Sequence, residues 1–153
     1  MKIGILSDTH DYLDPRLEKL FTGVDHLLHG GDVGMQQIIL ELGFIAPVTA
    51  VLGNTDMGNP LKLTEVVTLA GRKFLLHHIV NPRSPDDKLR ALLARHQPDV
   101  VIFGHTHQAF DETIGGIRFF NPGYAGKPKL GVNRSVAVLH CDENHLRAEY
   151  LPL

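Results

Sequence analysis

The sequence has little of several features that define other classes of protein. Cys141 is the only cysteine, so an internal disulfide is excluded and we expect an intracellular, cytoplasmic protein. No apolar run approaches the roughly 20 residues of a membrane span, and the N-terminal segment is too short and too polar for a signal peptide. The formal net charge is −2, and no basic patch interleaved with aromatic residues is present. We therefore expect no membrane association and no polymeric nucleic-acid substrate.

The length and composition are those of an ordinary globular chain. At 153 residues we expect one domain over residues 1–153, large enough to bury about two-thirds of its unfolded surface. Hydrophobic residues make up 43% and charged residues 21%, so the core needs neither disulfides nor structural metals. The ten histidines are an excess, and about half of them fall into motifs.

Apolar runs in the first fifty residues predict alternating strands and helices. KIGIL, DHLLH and VTAVL have the length and composition of buried strands. Asp14-Pro15 opens a first helix that ends at Gly23, and a second helix lies between Gly34 and Gly43. This βαβαβ order predicts parallel strands with right-handed connections.

The second half of the chain predicts a different arrangement. Two strands are joined at Ala70-Gly71, and a helix capped by the segment Ser84-Pro85-Asp86-Asp87 ends near His96. DVVIF is another buried strand, and two hairpins turn at Gly115-Gly116 and at Asp142-Glu143-Asn144. We therefore predict an α/β sandwich in which two mixed β-sheets face each other and helices flank them.

Five apolar runs end in residues that bind metals. The endings are Ser7-Asp8-Thr9-His10, Gly30-Gly31-Asp32, Gly53-Asn54-Thr55-Asp56, His77-His78 and Gly104-His105-Thr106-His107. In open α/β sheets, ligands bind at the carboxyl ends of the strands. One such ending is common, whereas five in one short chain indicate a shared metal site.

Two of these endings place ligand types two residues apart. Asp8 and His10 point the same way if the strand stays extended, although Asp8 could equally be a helix cap. His105 and His107 follow a glycine, and a His-x-His pair after a buried strand is a stronger metal signal than Asp-x-His. The alternative for this pair is a surface turn that carries two histidines.

The other three endings supply one candidate ligand each. Asp32 has two carboxylate oxygens and could bridge two ions ~3.5–4 Å apart, as in two-metal phosphoryl-transfer sites, or could simply cap a helix. Asn54 offers a neutral oxygen but also suits a tight turn. His77 ends a strand and could be an ordinary half-buried strand residue.

The ordered motifs D-x-H, GGD, GN-x-D, a strand-end His and GH-x-H resemble those of the calcineurin-like metallophosphoesterase superfamily. The match is to its small single-domain phosphodiesterase branch, which also contains the phosphoesterase-like retromer subunit. It extends from Asp8 to Gly123, where Asn121-Pro122-Gly123 matches a turn of the family that borders the site. The ordered set is specific, although each motif alone is not.

The resemblance implies a cofactor of two divalent metal ions. Manganese is the first expectation, with iron, zinc and nickel as alternatives, and a ligand set of nitrogen and oxygen agrees with this range. The implied ligands of the first ion are Asp8, His10 and His107. Those of the second ion are Asn54, His77 and His105, and Asp32 would bridge the two.

The chain departs from the family pattern at two places. Larger members have a histidine at Thr55 that assists the leaving group, and threonine cannot act as a general acid near pH 7. Asp56 could substitute if its pKa were raised. After His77, the family often has Gly-His where this chain has His78-Ile79, so Ile79 makes the substrate groove less polar or provides a docking site for a partner.

The resulting hypothesis is a metal-dependent phosphodiesterase, a hydrolase in which a metal-bridging hydroxide attacks phosphorus in line. The residues expected to take part in catalysis are His10, Asp32, Asn54 and Asp56. Without an acid at Thr55, we expect small diesters or esters with good leaving groups as substrates.

Three alternatives remain open from the sequence. A phosphomonoesterase or nucleotidase would use the same ligands, and a scaffold like the retromer subunit would have weak or no catalysis. A nuclease is disfavoured by the charge balance. The oligomeric state is open, a dimer among the alternatives.

Overall fold

Two five-stranded sheets and three helices account for the regular structure in the described part of the chain. The computed structural model describes residues 1–142 and 144–153. The strands are β1 Lys2–Leu6, β2 His26–His29, β3 Val48–Ala50, β4 Thr64–Leu69, β5 Arg72–His77, β6 Val100–Ile102, β7 Phe110–Ile114, β8 Ile117–Asn121, β9 Ser135–Cys141 and β10 Leu146–Pro152. The helices are α1 Leu17–Leu20, α2 Gln36–Leu42 and α3 Asp87–His96.

The first sheet has the strand order β10-β9-β1-β2-β3. Its strands β1, β2 and β3 are parallel, as the βαβαβ pattern predicts, and the antiparallel hairpin β9–β10 extends the sheet beside β1. The turn between β9 and β10 includes Glu143, which lies outside the described residues.

Helix α1 is shorter than the sequence predicts. The Asp14 carboxylate accepts the backbone N–H of Arg16 at 3.0 Å and also binds its guanidinium, so the helix begins only after Arg16. At the other end, the Thr22 hydroxyl donates to the carbonyls of Lys19 and Glu18, which competes with continuing helical bonds. One helical turn remains.

The second sheet has the strand order β4-β5-β6-β8-β7. Strands β5, β6 and β8 are parallel, while the hairpins β4–β5 and β7–β8 are antiparallel, so the sheet is mixed as predicted. Ala70 and Gly71 have φ of 48° and 74° at the first hairpin turn. Helix α3 begins as predicted, because the Asp86 carboxylate accepts the Leu89 N–H at 2.8 Å.

The core lies between the two sheets, and the helices cover their outer faces. The side chains between the sheets include Ile3, Ile5 and Leu28 from the first sheet and Phe74, Leu76 and Ile102 from the second. Because side chains alternate along a strand, Leu75 lies on the opposite face of β5, in the cluster with Leu89 of α3. In the described part of the chain, no helix is long and apolar enough to span a membrane.

Candidate metal centre

Polar loops that follow β1, β2, β3, β5 and β6 meet at one edge of the sandwich. Backbone hydrogen bonds tie them together: Asp8 N–H donates to Gly31 O at 3.0 Å, and Gly104 N–H donates to His78 O at 3.1 Å. The loops turn sharply into the site, and five of the candidate ligands have positive φ. These residues are Asp8 (58°), His10 (45°), Asp32 (52°), His105 (68°) and His107 (56°).

Positive φ is uncommon for residues other than glycine, and such backbone strain concentrates at functional sites. Gly104, which precedes His105, also has a specific role. A Cβ at Gly104 would collide with the Asp8 carboxylate, so only glycine allows this close approach. The strand endings noted in the sequence therefore converge through unusual backbone geometry.

One group of candidate ligands consists of Asp8, His10 and His107. Their ligand atoms lie within 4.8 Å of one another. His107 Nε2 is 3.3 Å from Asp8 Oδ1, and the Nε2 atoms of His10 and His107 are 3.4 Å apart. The His107 ring stacks on Tyr124 with ring centroids 4.5 Å apart, which fixes its orientation.

A second group surrounds Asn54. Asn54 Oδ1 is 3.1 Å from His78 Nε2 and 2.9 Å from His105 Nδ1, so three neutral donor atoms point at one small volume. Asp32 Oδ2 completes the group, 3.3 Å from His78 Nε2. The same Asp32 oxygen is 3.7 Å from His10 Nε2, so this carboxylate lies between the two groups. The predicted ligands thus come together, with one exception.

The exception is His77, which is predicted as a ligand of the second metal but which the structure places outside the cluster. His78, not His77, belongs to the cluster with Asp8 and Asp32. His77 follows Leu75 on the outer face of β5, and its Nδ1 is 2.9 Å from Thr64 Oγ1 and 3.1 Å from Leu63 O. The register of β5 decides the matter, because His78 continues the inward face of Leu76.

Burial governs the charges in the centre. Burial raises the pKa of Asp8 to about 7, although the hydrogen bond from Ser7 acts to lower it. The negative charge of Asp32 adds to the rise. Burial also lowers the pKa of His78 and of His107, which keeps both imidazoles neutral near pH 7. Burial alone would raise the pKa of Asp32, but hydrogen bonds from Thr55 and the charges of His78 and His10 hold it below its usual range. Neutral imidazole and ionised carboxylate are the forms that bind metals.

These donors fit a pair of divalent cations. Asp8 and Asp32 are buried, and within the described ranges their only ion-pair partners are histidines, with no lysine or arginine. Buried carboxylates require a compensating positive charge. The Nε2 atoms of His10 and His107 also face each other, so they cannot both carry a hydrogen and donate it to the other ring. A nitrogen and oxygen donor set without thiolate suits manganese, iron, zinc or nickel.

Asp56, which the sequence offers as a substitute general acid, lies beside the centre with its carboxylate bound by backbone N–H groups. Its side chain is 5% exposed and its carboxylate accepts three backbone N–H groups, from Val33 at 3.0 Å and from Gly34 and Gly53 at 2.8 Å. The carboxylate thereby joins the loops after β2 and β3. Thr55 is exposed, and its backbone N–H donates to Asp32 Oδ1 at 2.9 Å.

The sequence interpretation missed the contribution of His29. This fully buried ring accepts the Gly31 N–H at Nδ1, 3.2 Å away, so its Nε2–H donates to the Thr9 hydroxyl, 3.0 Å away. Burial lowers the pKa of His29 to about 3 and keeps the ring neutral. His29 therefore holds the loops that carry Asp32 and His10 in place. The sequence signal for this role is that His29 is the last residue of β2.

Comparisons with known proteins identify the family of the chain. The calcineurin-like phosphoesterase superfamily domain matches residues 1–144. A probable metallophosphoesterase of Methanothermobacter thermautotrophicus is 35% identical over 99% of this chain and 92% of its own length. A phosphodiesterase of Escherichia coli strain K12 is 39% identical over 93% of this chain and 89% of its own. The structure of Vps29 from Entamoeba histolytica complexed with zinc shares the fold with a TM-score of 0.74, at 23% identity over 99% of both chains.

Proposed function

Because the chain belongs to the calcineurin-like phosphoesterase superfamily, we propose that it is a phosphodiesterase that uses two divalent metal ions. The observation that carries the proposal is the position of Asp32 Oδ2, 3.7 Å from His10 Nε2 and 3.3 Å from His78 Nε2. One carboxylate thus serves both groups of donors. We further propose one catalytic domain over residues 1–153 and manganese as the native metal.

Two sets of residues would hold the ions. The first set is Asp8, His10 and His107, the second is Asn54, His78 and His105, and Asp32 serves both. A metal pair of this kind supplies a hydroxide nucleophile near neutral pH and stabilises the charge that develops on the phosphoryl oxygens. The resident side chains hold this arrangement rigidly, because the Tyr124 ring orients His107 and the Thr55 N–H orients Asp32.

The same residues favour phosphate esters with good leaving groups. A monoester with an ordinary alcohol needs a proton donor for the leaving oxygen, whereas an activated aryl group leaves without one. Thr55 cannot release a proton near pH 7, and the Asp56 carboxylate is held by backbone N–H groups. We therefore expect diesters, or other phosphate esters with good leaving groups.

The test is to purify the chain, remove metals with a chelator, and add manganese back. We expect two manganese ions per chain by titration and hydrolysis of bis(4-nitrophenyl) phosphate faster than 4-nitrophenyl phosphate. Asp32→Asn should abolish hydrolysis while circular dichroism stays native, since the bridging charge is lost and the fold is not. Faster monoester hydrolysis would favour a phosphomonoesterase, and undiminished activity of Asp32→Asn would contradict the bridging role.

A non-catalytic scaffold is the second candidate. Exposed apolar side chains beside the centre favour it, since Met57 is 96% exposed and Ile79 is 52% exposed. Exposed apolar side chains mark a site of interaction where they form a contiguous patch, which a bound partner would cover. Manganese binding without turnover of either ester would support the scaffold over the enzyme.

A further inference from the structure

An apolar cleft opens directly beside the second group of metal donors. It has a volume of about 180 Å³ and shares Asn54 and His78 with the metal centre. Its other walls include the side chains of Leu52, Leu63 and Ile79. A group attached to a phosphate at the metal centre would therefore lie beside this cleft.

His77, which lies outside the metal centre, holds one wall of the cleft in place. The His77 ring lines the cleft, and its Nδ1 is fixed against Leu63 O at 3.1 Å and Thr64 Oγ1 at 2.9 Å. Lys88 also borders the cleft.

The cleft at the other end of the metal centre differs in chemistry. It has a volume of about 580 Å³, borders His107, and includes the polar side chains of Gln108 and Asn133. The two ends of the centre are therefore unequal, one apolar and narrow, the other polar and wide. A substrate with two different ester groups would bind in one orientation only.

We propose that the cleft formed by Leu52, Leu63 and Ile79 receives an apolar, ring-sized ester group of the substrate. This inference rests on the proposed phosphoesterase function, since the metal centre must hold the phosphate. The volume supports the size, because a protein cavity of roughly 150 Å³ lined by aliphatic side chains accommodates a benzene ring. Leu63 and Ile79 are 55% and 52% exposed, so an apolar group would remove both from water.

The experiment measures binding rather than turnover. Phenylphosphonate and methylphosphonate carry the same anionic group and differ only in the group that would enter the cleft. Calorimetric titration of the manganese-loaded protein should give about tenfold tighter binding of phenylphosphonate, since the open cleft buries only part of the ring. In Ile79→Ser and Leu63→Ser the ratio of the two dissociation constants should fall several-fold, while Ile79→Leu should preserve it.

A matched control variant is Phe44→Ser, which removes a 90% exposed ring after helix α2 that does not line the cleft. This variant should keep the wild-type ratio. Equal binding of the two phosphonates, or an unchanged ratio in both serine variants, would overturn the inference. Phenylphosphonate preference without hydrolysis of any ester would overturn the proposed catalysis and leave the cleft assignment standing.

Discussion

The replacement of His78 by alanine tests the assignment of the second metal position most directly. His78 is 3% exposed, and its Nε2 lies 3.3 Å from Asp32 Oδ2 and 3.1 Å from Asn54 Oδ1. His78→Ala leaves Asn54, His105 and Asp32 as the remaining donors. Loss of a residue that merely orients a metal ligand costs about 10–100-fold in affinity, so loss of a direct ligand should cost more than about 100-fold at one of two sites.

The matched control is His77→Ala, which removes an imidazole one residue away. Its ring is tied to Thr64 and Leu63, so the variant should lose about 1 kcal/mol of unfolding free energy and retain both manganese affinities. Manganese titration by calorimetry distinguishes the two positions. If His77→Ala lost the second ion and His78→Ala kept it, the assignment from the register of β5 would be refuted.

Three further predictions address the missing acid, a buried ion pair and a buried histidine. Thr55→His should raise the hydrolysis of phenyl phosphate, whose leaving group needs a proton, more than that of bis(4-nitrophenyl) phosphate, whose leaving group does not, and equal effects on both would count against the missing-acid argument. Asp14→Asn should cost about 3 kcal/mol in urea unfolding at pH 7, because the guanidinium of Arg134, 2.8 Å away and 9% exposed, would lose its partner. Arg16→Ala should cost much less, since that side chain is solvated, and a comparable loss would show that Arg134 is not the important partner. The pKa of Asp14 lies below its usual range chiefly because of its hydrogen bond to Arg16, so the contribution of Asp14 should be present above about pH 4 and lost in stronger acid. His29 has a pKa of about 3 when folded and about 6.5 when unfolded, so protons favour the unfolded chain and stability should fall below about pH 6.5. In the metal-free protein, the difference in unfolding free energy between wild type and His29→Gln should therefore shrink as the pH falls from about 7.5 to about 5.5. A constant difference would contradict a neutral His29.

The fold could be predicted from the sequence because its signals are local. Apolar runs bounded by glycine and aspartate mark β1, β2 and β3, and their alternation with helices leads to a parallel sheet. The turn at Ala70-Gly71 and the helix cap at Asp86 could also be predicted from the sequence. The length of α1 could not, because Asp14 and Pro15 only indicate that a helix begins nearby, whereas the bonds from Arg16 to Asp14 and from Thr22 to Lys19 O set its two ends.

Within the site, the sequence identified residue types at strand ends but not their directions. His77 and His78 are adjacent and chemically identical, and only the pairing of β5 with β4, Thr64 opposite His77, decides which ring faces the centre. Similarly, the sequence suggests Asp56 as a general acid, and only the structure shows that its carboxylate accepts three backbone N–H groups. In both cases the deciding contact is made by a segment distant in sequence.

The backbone hydrogen bonds of the centre explain how its strained residues persist. The loops that carry Asp8 and His10 are fixed to the loop after β2, where Gly31 O and Asp32 O accept their N–H groups at 3.0 Å. The His105 N–H donates to both Asp8 carboxylate oxygens at 3.2 Å. Positive φ at a residue other than glycine costs on the order of 1–3 kcal/mol, and these shared bonds offset that cost across loops from both sheets. The ligands are therefore held in place by the fold itself, so that the binding free energy of a cation is not spent on ordering them.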